Sequence, residues 1–279
     1  MNTTEKSNKT PKQAIDTYWD RTSRPIYAFV YLFVFIVIYE AGLFMLNTDV
    51  FTLPMGQVPG VVVSFAWVYT ALLKVGFNSY GAWIGAPVVV IVTLIVWQLA
   101  SNKKPQVLVT DFLPMTLECI AWSLPLILFS VFISNILSPD SHVAVPAIPQ
   151  AALLNAAPDF QNFLVSVIAG IGAGIYEELF FRLYLMMMLV LIMRKFLGMP
   201  EIRANCFAII ISALLFSLHH HIYFLNGSLQ TGEPFVLGAF IFRFVAGVYL
   251  AVLFGLRGFG VVAATHAYHN IITAVINYI

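Results

Sequence analysis

The chain has 279 residues, 60% of them hydrophobic and only 10% charged, with a mean hydropathy of +0.88 and a formal net charge of +1. Soluble domains carry about 25% charged residues, so this composition excludes a soluble globule. It also offers no basic face for a nucleic acid. Cys119 and Cys206 both lie in apolar segments and read as small buried hydrophobes, which argues against a disulfide or a CxxC-type metal site.

Residues 1–24 form a polar tail carrying Lys6, Lys9, Lys12, Arg21 and Arg24. It has no short apolar core followed by a small-residue cleavage site, so the first span is expected to serve as the targeting signal. Apolar runs that can cross a ~30 Å hydrocarbon core follow at about 25–46, 58–76, 80–100, 111–137, 160–197, 204–220, 235–255 and 258–278. The expected fold is therefore all-α, a polytopic membrane bundle of seven or eight transmembrane helices. The run at 160–197 would be about 56 Å long as one straight helix. Gly170, Gly172 and Gly174 offer a place to break or kink it.

Lys103, Lys104, Arg194, Lys195, Arg203 and Arg257 occupy alternate loops, whereas the loops at 138–159 and 221–234 have no Lys or Arg. The positive-inside rule makes the basic loops cytoplasmic. A cytoplasmic N-terminus is preferred too, which requires one of the segments at 58–76 and 80–100 not to cross. The loop at 138–158 contains Pro139, Pro146, Pro149 and Pro158 and divides an accessory region, 25–155, from a core, 156–279. No internal repeat of the kind common in transporters stands out.

Charged residues inside apolar spans cost ~2.5–3.5 kcal/mol on insertion scales and point to function. Glu177, Glu178 and Arg182 lie inside the 160–197 run. On a helix Glu178 and Arg182 are at i, i+4, so Arg182 can hold one carboxylate while the other faces elsewhere as a general base. Residues 216–221 read FSLHHH and residues 266–270 read HAYHN. His266 and Asn270 project from one helical face. If these helices pack together, one cavity collects two carboxylates, imidazoles and a carboxamide. That inventory suits attack of an activated water on a carbonyl. The structural alternative for the Glu177–Glu178–Arg182 group is a buried ion network that fixes packing. His219, His221, His269 and Phe216 read as packing or interfacial residues. Arg243 is expected to balance Glu118 or one of the motif glutamates.

In this order and spacing the clusters match EExxxR (Glu177 to Arg182), FxxxH (Phe216 to His220) and HxxxN (His266 to Asn270). The chain resembles the CPBP family of CAAX proteases and bacteriocin-processing enzymes, also called Rce1-like or Abi intramembrane proteases, over roughly residues 160–279. The resemblance implies an intramembrane endopeptidase. Glu177 and His220 would activate water, His266 and Asn270 would form the oxyanion hole, Arg182 would order the carboxylates, and Glu178 would be structural or electrostatic. It implies no cofactor, with zinc held by Glu177, His220 and His266 as the rival reading. The partners implied are the lipid bilayer and a membrane-associated peptide or protein, cut near the cytoplasmic side where Arg194, Lys195 and Arg203 lie. Prenylated CAAX tails are one substrate class. The short tail and compact loops suit a bacterial inner-membrane protein acting on a peptide, bacteriocin or membrane protein. Two other classes use the same residues: a non-catalytic immunity or scaffold protein, and a proton-coupled transporter with the glutamates as relay.

Overall fold

The computed structural model describes residues 16–47, 55, 58–137 and 160–279. The first 15 residues of the tail, the proline-bearing connection at 138–158 and the boundary placed at 155–156 lie outside the described residues. The chain runs through α1 (Tyr18–Thr22), α2 (Pro25–Leu46), α3 (Val63–Val75), α4 (Ser79–Ala100), α5 (Phe112–Leu137), α6 (Phe160–Glu178), a π-helical stretch (Leu179–Met186), α7 (Met187–Lys195) and α8 (Glu201–Leu218). A two-stranded antiparallel hairpin, β1 (Ile222–Leu225) and β2 (Ser228–Thr231), then leads into α9 (Leu237–Tyr278). Five of the described helices are long and apolar enough to cross a membrane. The protein is a multi-pass integral membrane protein built as a helix bundle.

The backbone revises two expectations and bears out a third. The segment at 58–76 forms only the 13-residue α3, about 20 Å long and short of the ~30 Å core. It does not cross, so α2 and α4 are successive antiparallel crossings. Their pairing is fixed where the Ile26 amide donates to Gln98 Oε1 at 3.0 Å and the Trp83 indole donates to Glu40 Oε2 at 2.9 Å. The 160–197 run does not break at its glycines. Helical backbone continues from Phe160 to Lys195 and changes pitch only after the glutamates, through the π-helical stretch. The two runs at 235–255 and 258–278 are present as expected, as two arms of α9 that meet at Gly258 and fold back on each other, with the Phe242 and His269 rings 5.9 Å apart; the φ of 75° and ψ of −179° at Gly258 lie in a region open essentially only to glycine. The hairpin was not expected from the sequence.

The basic residues gather at one end of the bundle. Arg21 pairs with Asp111 at 2.9 Å, Arg24 contacts Asp16 and the Lys104 carbonyl, and Arg257 donates to the Trp19 carbonyl at 3.0 Å. The stretch leading into α7 runs alongside α4, where the Tyr184 and Thr93 hydroxyls meet at 2.5 Å, so Arg194 and Lys195 arrive at that same end. The N-terminus therefore shares a face with the basic loops, as a cytoplasmic tail requires. The hairpin, the start of α6 and the chain's C-terminus occupy the other end, where Phe163 and Tyr278 stack with centroids 4.8 Å apart.

α9 is the hub. It packs against α1, α2, α5, α6 and α8, so both halves of the chain build around it. The glycines of α6 serve this packing. A Cβ at Gly174 would lie 2.6 Å from the Ala263 carbonyl oxygen, and one at Gly170 would lie 2.7 Å from Asn270 Cβ, while Gly172 accommodates the Tyr39 ring. Small residues at a membrane helix interface allow such close backbone approach. The consequence is functional, because it brings the polar faces of α6 and α9 together. Cys119 is buried as expected, whereas Cys206 is exposed on α8.

Candidate active site

The close α6–α9 crossing places Glu178 against His266, whose Nδ1 lies 2.8 Å from Glu178 Oε1. The other carboxylate oxygen of Glu178 is 3.0 Å from Arg182 Nε, and neither Glu178 nor Arg182 has exposed side-chain surface. This contact is an ion pair without hydrogen-bond alignment. Arg182 also donates to the Gly247 carbonyl at 3.4 Å and lies over the Phe216 ring, 4.3 Å from its centroid. The division anticipated for the two glutamates is present: Glu178 is held from two sides, and Glu177 points elsewhere.

Glu177 faces imidazoles instead. Its Oε1 is 3.7 Å from His219 Nε2 and its Oε2 is 4.0 Å from His266 Nε2. Gaps of this size are too long for direct hydrogen bonds and suit a bridging water. His219 and His220 both direct Nδ1 at the Phe216 carbonyl, at 2.5 Å and 2.9 Å. A carbonyl only accepts, so this contact favours the Nδ1–H tautomer and leaves each Nε2 with a lone pair. The same reasoning makes His266 Nδ1–H the donor to Glu178, an arrangement that supports a proton on the imidazole as charge develops nearby.

Beyond these groups lies a cavity of about 40 Å³ lined by Phe216, His220, Arg243, His266, His269 and Asn270, among others. That volume admits a water, which needs roughly 10–15 Å³, and its polar lining can hold one. Asn270 spends one amide hydrogen on the Gly170 carbonyl at 3.3 Å. Its second amide hydrogen remains to serve the cavity.

The structure therefore gathers Glu177, Glu178, Arg182, His220, His266 and Asn270 in one place. It adds His219, which sequence reasoning set aside as interfacial, and Trp67 of α3, whose ring packs on Phe180 and lies 5.9 Å from His219. Three consecutive histidines concealed the first; only the turn at the end of α8 decides which of them face inward. No sequence signal linked Trp67 to the site. Glu177, His219 and His220 each offer a ligand atom within 4.8 Å of one another. One carboxylate and two imidazoles form a donor set that fits a catalytic divalent metal. It differs from the anticipated trio, because His266 is tied to Glu178.

Local structure explains these positions. A π-helical stretch leaves carbonyls without their usual partners and is frequent at functional sites. Here the Ser212 hydroxyl donates to the Phe181 carbonyl at 2.8 Å. After α8 the histidine turn is strapped down by Gly232 and Glu233, whose amides donate to the carbonyls of His221 and His220 at 2.8 and 2.9 Å. The strap is anchored by Arg243, which donates to Glu233 at 2.6 Å. Arg243 thus pairs with Glu233, not with Glu118 or the motif glutamates as expected. Glu118 is taken by Arg257, 139 residues away, at 2.5 Å. The site also sits away from the basic loops: more than four helical turns, about 25 Å, separate Glu177 from Arg194.

Residues 159–272, a stretch that spans all three motif clusters, match the family model described as type II CAAX prenyl endopeptidase Rce1-like. No curated protein and no solved structure matches the chain. Through this C-terminal region, where the three motif clusters meet, the chain is similar to the Rce1-like type II CAAX prenyl endopeptidases.

Proposed function

We propose that the protein is an intramembrane endopeptidase of the glutamate type, acting on a membrane-associated peptide or protein. The observation that carries this reading is the placement of Glu177, with its two oxygens 3.7 and 4.0 Å from the Nε2 atoms of His219 and His266. A water in that gap gives a proton to Glu177, and its oxygen attacks the peptide carbonyl carbon. The neighbouring neutral imidazole, His219 or His220, accepts the water's other hydrogen bond and aligns the lone pair. The carbonyl oxygen becomes an oxyanion and receives hydrogen bonds from Asn270 and, with a second proton on its Nε2, from His266, whose Nδ1–H stays on Glu178. The proton held by Glu177 then passes to the leaving nitrogen as the C–N bond breaks. Glu178 and Arg182 keep His266 oriented throughout.

The test is cleavage of a membrane-derived peptide pool by purified protein, with Glu177→Gln, His219→Ala and His220→Ala alongside wild type. General-base loss is expected to cost roughly 10²–10⁴-fold. Full cleavage by Glu177→Gln would sink the glutamate-type reading, and no cleavage by folded wild type would favour the scaffold or transporter class. A second reading rests on the clustering of Glu177, His219 and His220. These three would hold a divalent metal, which would supply a Lewis acid and an acidified water. Activity that is lost in chelator and restored by zinc would select it.

A further inference from the structure

We infer that the cavity is reached from the face opposite the basic loops, so that the scissile bond belongs to a segment on the non-cytoplasmic side. This rests on the peptidase reading for what is cut, but not for where the cavity opens. The cavity residues Phe242 and Arg243 lie in the first two turns of α9, about 9 Å from its start at Leu237, whereas Gly258 at the basic end is about 22 Å from Arg243. His220, in the same lining, sits on the turn that leads into the hairpin. Of the strands above, β2 is exposed at all four residues, and Ile222 and Phe224 of β1 are exposed too.

The opposite end of α9 is plugged. Arg257 has no exposed surface and is bound by Glu118, the Thr22 hydroxyl and the Trp19 carbonyl. Ser23 presses on the bend, so that a Cβ at Gly258 would lie 2.6 Å from its carbonyl oxygen. Between this plug and His266 run Phe259, Val261, Val262, Ala263 and Ala264, all 1% exposed or less. Along α9 there is no path for water or substrate from that end. The sidedness follows from charge. Arg21, Arg24, Lys103, Lys104, Arg194 and Lys195 share the plugged end, while the hairpin and its flanks from 221 to 236 have no Lys or Arg. Lysine and arginine concentrate on the cytoplasmic side of short loops. The substrate class is then a peptide or protein segment that has already crossed, or been exported through, the membrane.

The experiment has two arms. In a Cys206→Ser background, Ser228→Cys in the hairpin and Leu197→Cys between α7 and α8 are treated with a membrane-impermeant maleimide in intact cells. Labelling of Ser228→Cys in intact cells, with Leu197→Cys labelled only after lysis, is expected; the reverse pattern overturns the inference. In the second arm, right-side-out and inside-out vesicles receive an impermeant quenched peptide library, with Glu177→Gln as control. Cleavage confined to right-side-out vesicles and lost in the control is expected. Cleavage confined to inside-out vesicles overturns the sidedness and leaves the peptidase reading standing. Wild type inactive in both orientations and in detergent counts against the peptidase reading, and the labelling arm still decides which way the cavity faces.

Discussion

Arg182 is the sharpest point at which to test the architecture of the site. Its guanidinium is fully buried, and the charge it balances, Glu178, is equally so. Replacing Arg182 with Met keeps much of the volume and the contact with Phe216 but leaves Glu178 buried with only His266 as partner. Breaking a buried pair from one side costs about 3–5 kcal/mol, against a typical total stability of about 5–15 kcal/mol. The low end is expected here, because His266 Nδ1 still donates to the carboxylate. Adding Glu178→Gln removes the orphaned charge, and the double variant should recover at least half of the lost stability, since apolar or neutral replacement of both partners is often nearly neutral. Activity should not recover, because His266 then lacks the carboxylate that orients it. Unfolding in mixed detergent micelles and peptidase turnover measured on the same three preparations separate the two effects. A double variant as unstable as Arg182→Met, or a single variant within about 1 kcal/mol of wild type, would refute the idea that Arg182 and Glu178 act as one buried pair.

Other substitutions probe separate elements. Asn270→Ala should lower kcat by about 10²–10³-fold with little change in KM if the carboxamide serves the oxyanion; a pure KM effect would place it in substrate binding. Gly258→Ala forces a Cβ onto the Ser23 carbonyl and strains a glycine-only conformation, which should cost about 1–3 kcal/mol and be read as a lower melting temperature. Arg243→Met leaves Glu233, 13% exposed, without its cation, at a cost of roughly 3 kcal/mol. It should also slow turnover by loosening the strap over the histidine turn, and a second change, Glu233→Gln, should restore stability. Unchanged melting and turnover in Arg243→Met would show that the strap does not depend on this pair.

What the sequence determined by itself was whatever periodicity and charge can carry. Its composition required a membrane bundle, and i, i+4 spacing put Glu178 with Arg182 and His266 beside Asn270. The basic loops predicted that the N-terminus lies on their side once one early segment was allowed not to cross. Those statements depend on neighbours within a turn or on sums over a segment. Contacts between distant segments decided the rest. The carboxylate of Glu118 is neutralised by Arg257, 139 residues on, and Arg243 finds Glu233 only because the hairpin folds back over α9. No local rule distinguishes a glycine that breaks a helix from one that admits a neighbour. In α6 the answer came from Ala263, Ala267, Tyr39 and Asn270 pressing on it. Likewise, three consecutive histidines are equivalent as text, and the end of α8 alone turned His219 toward Glu177. The chemistry of each group was written locally, and its partner and the side from which it is reached were set by how α9 gathers the other helices around it.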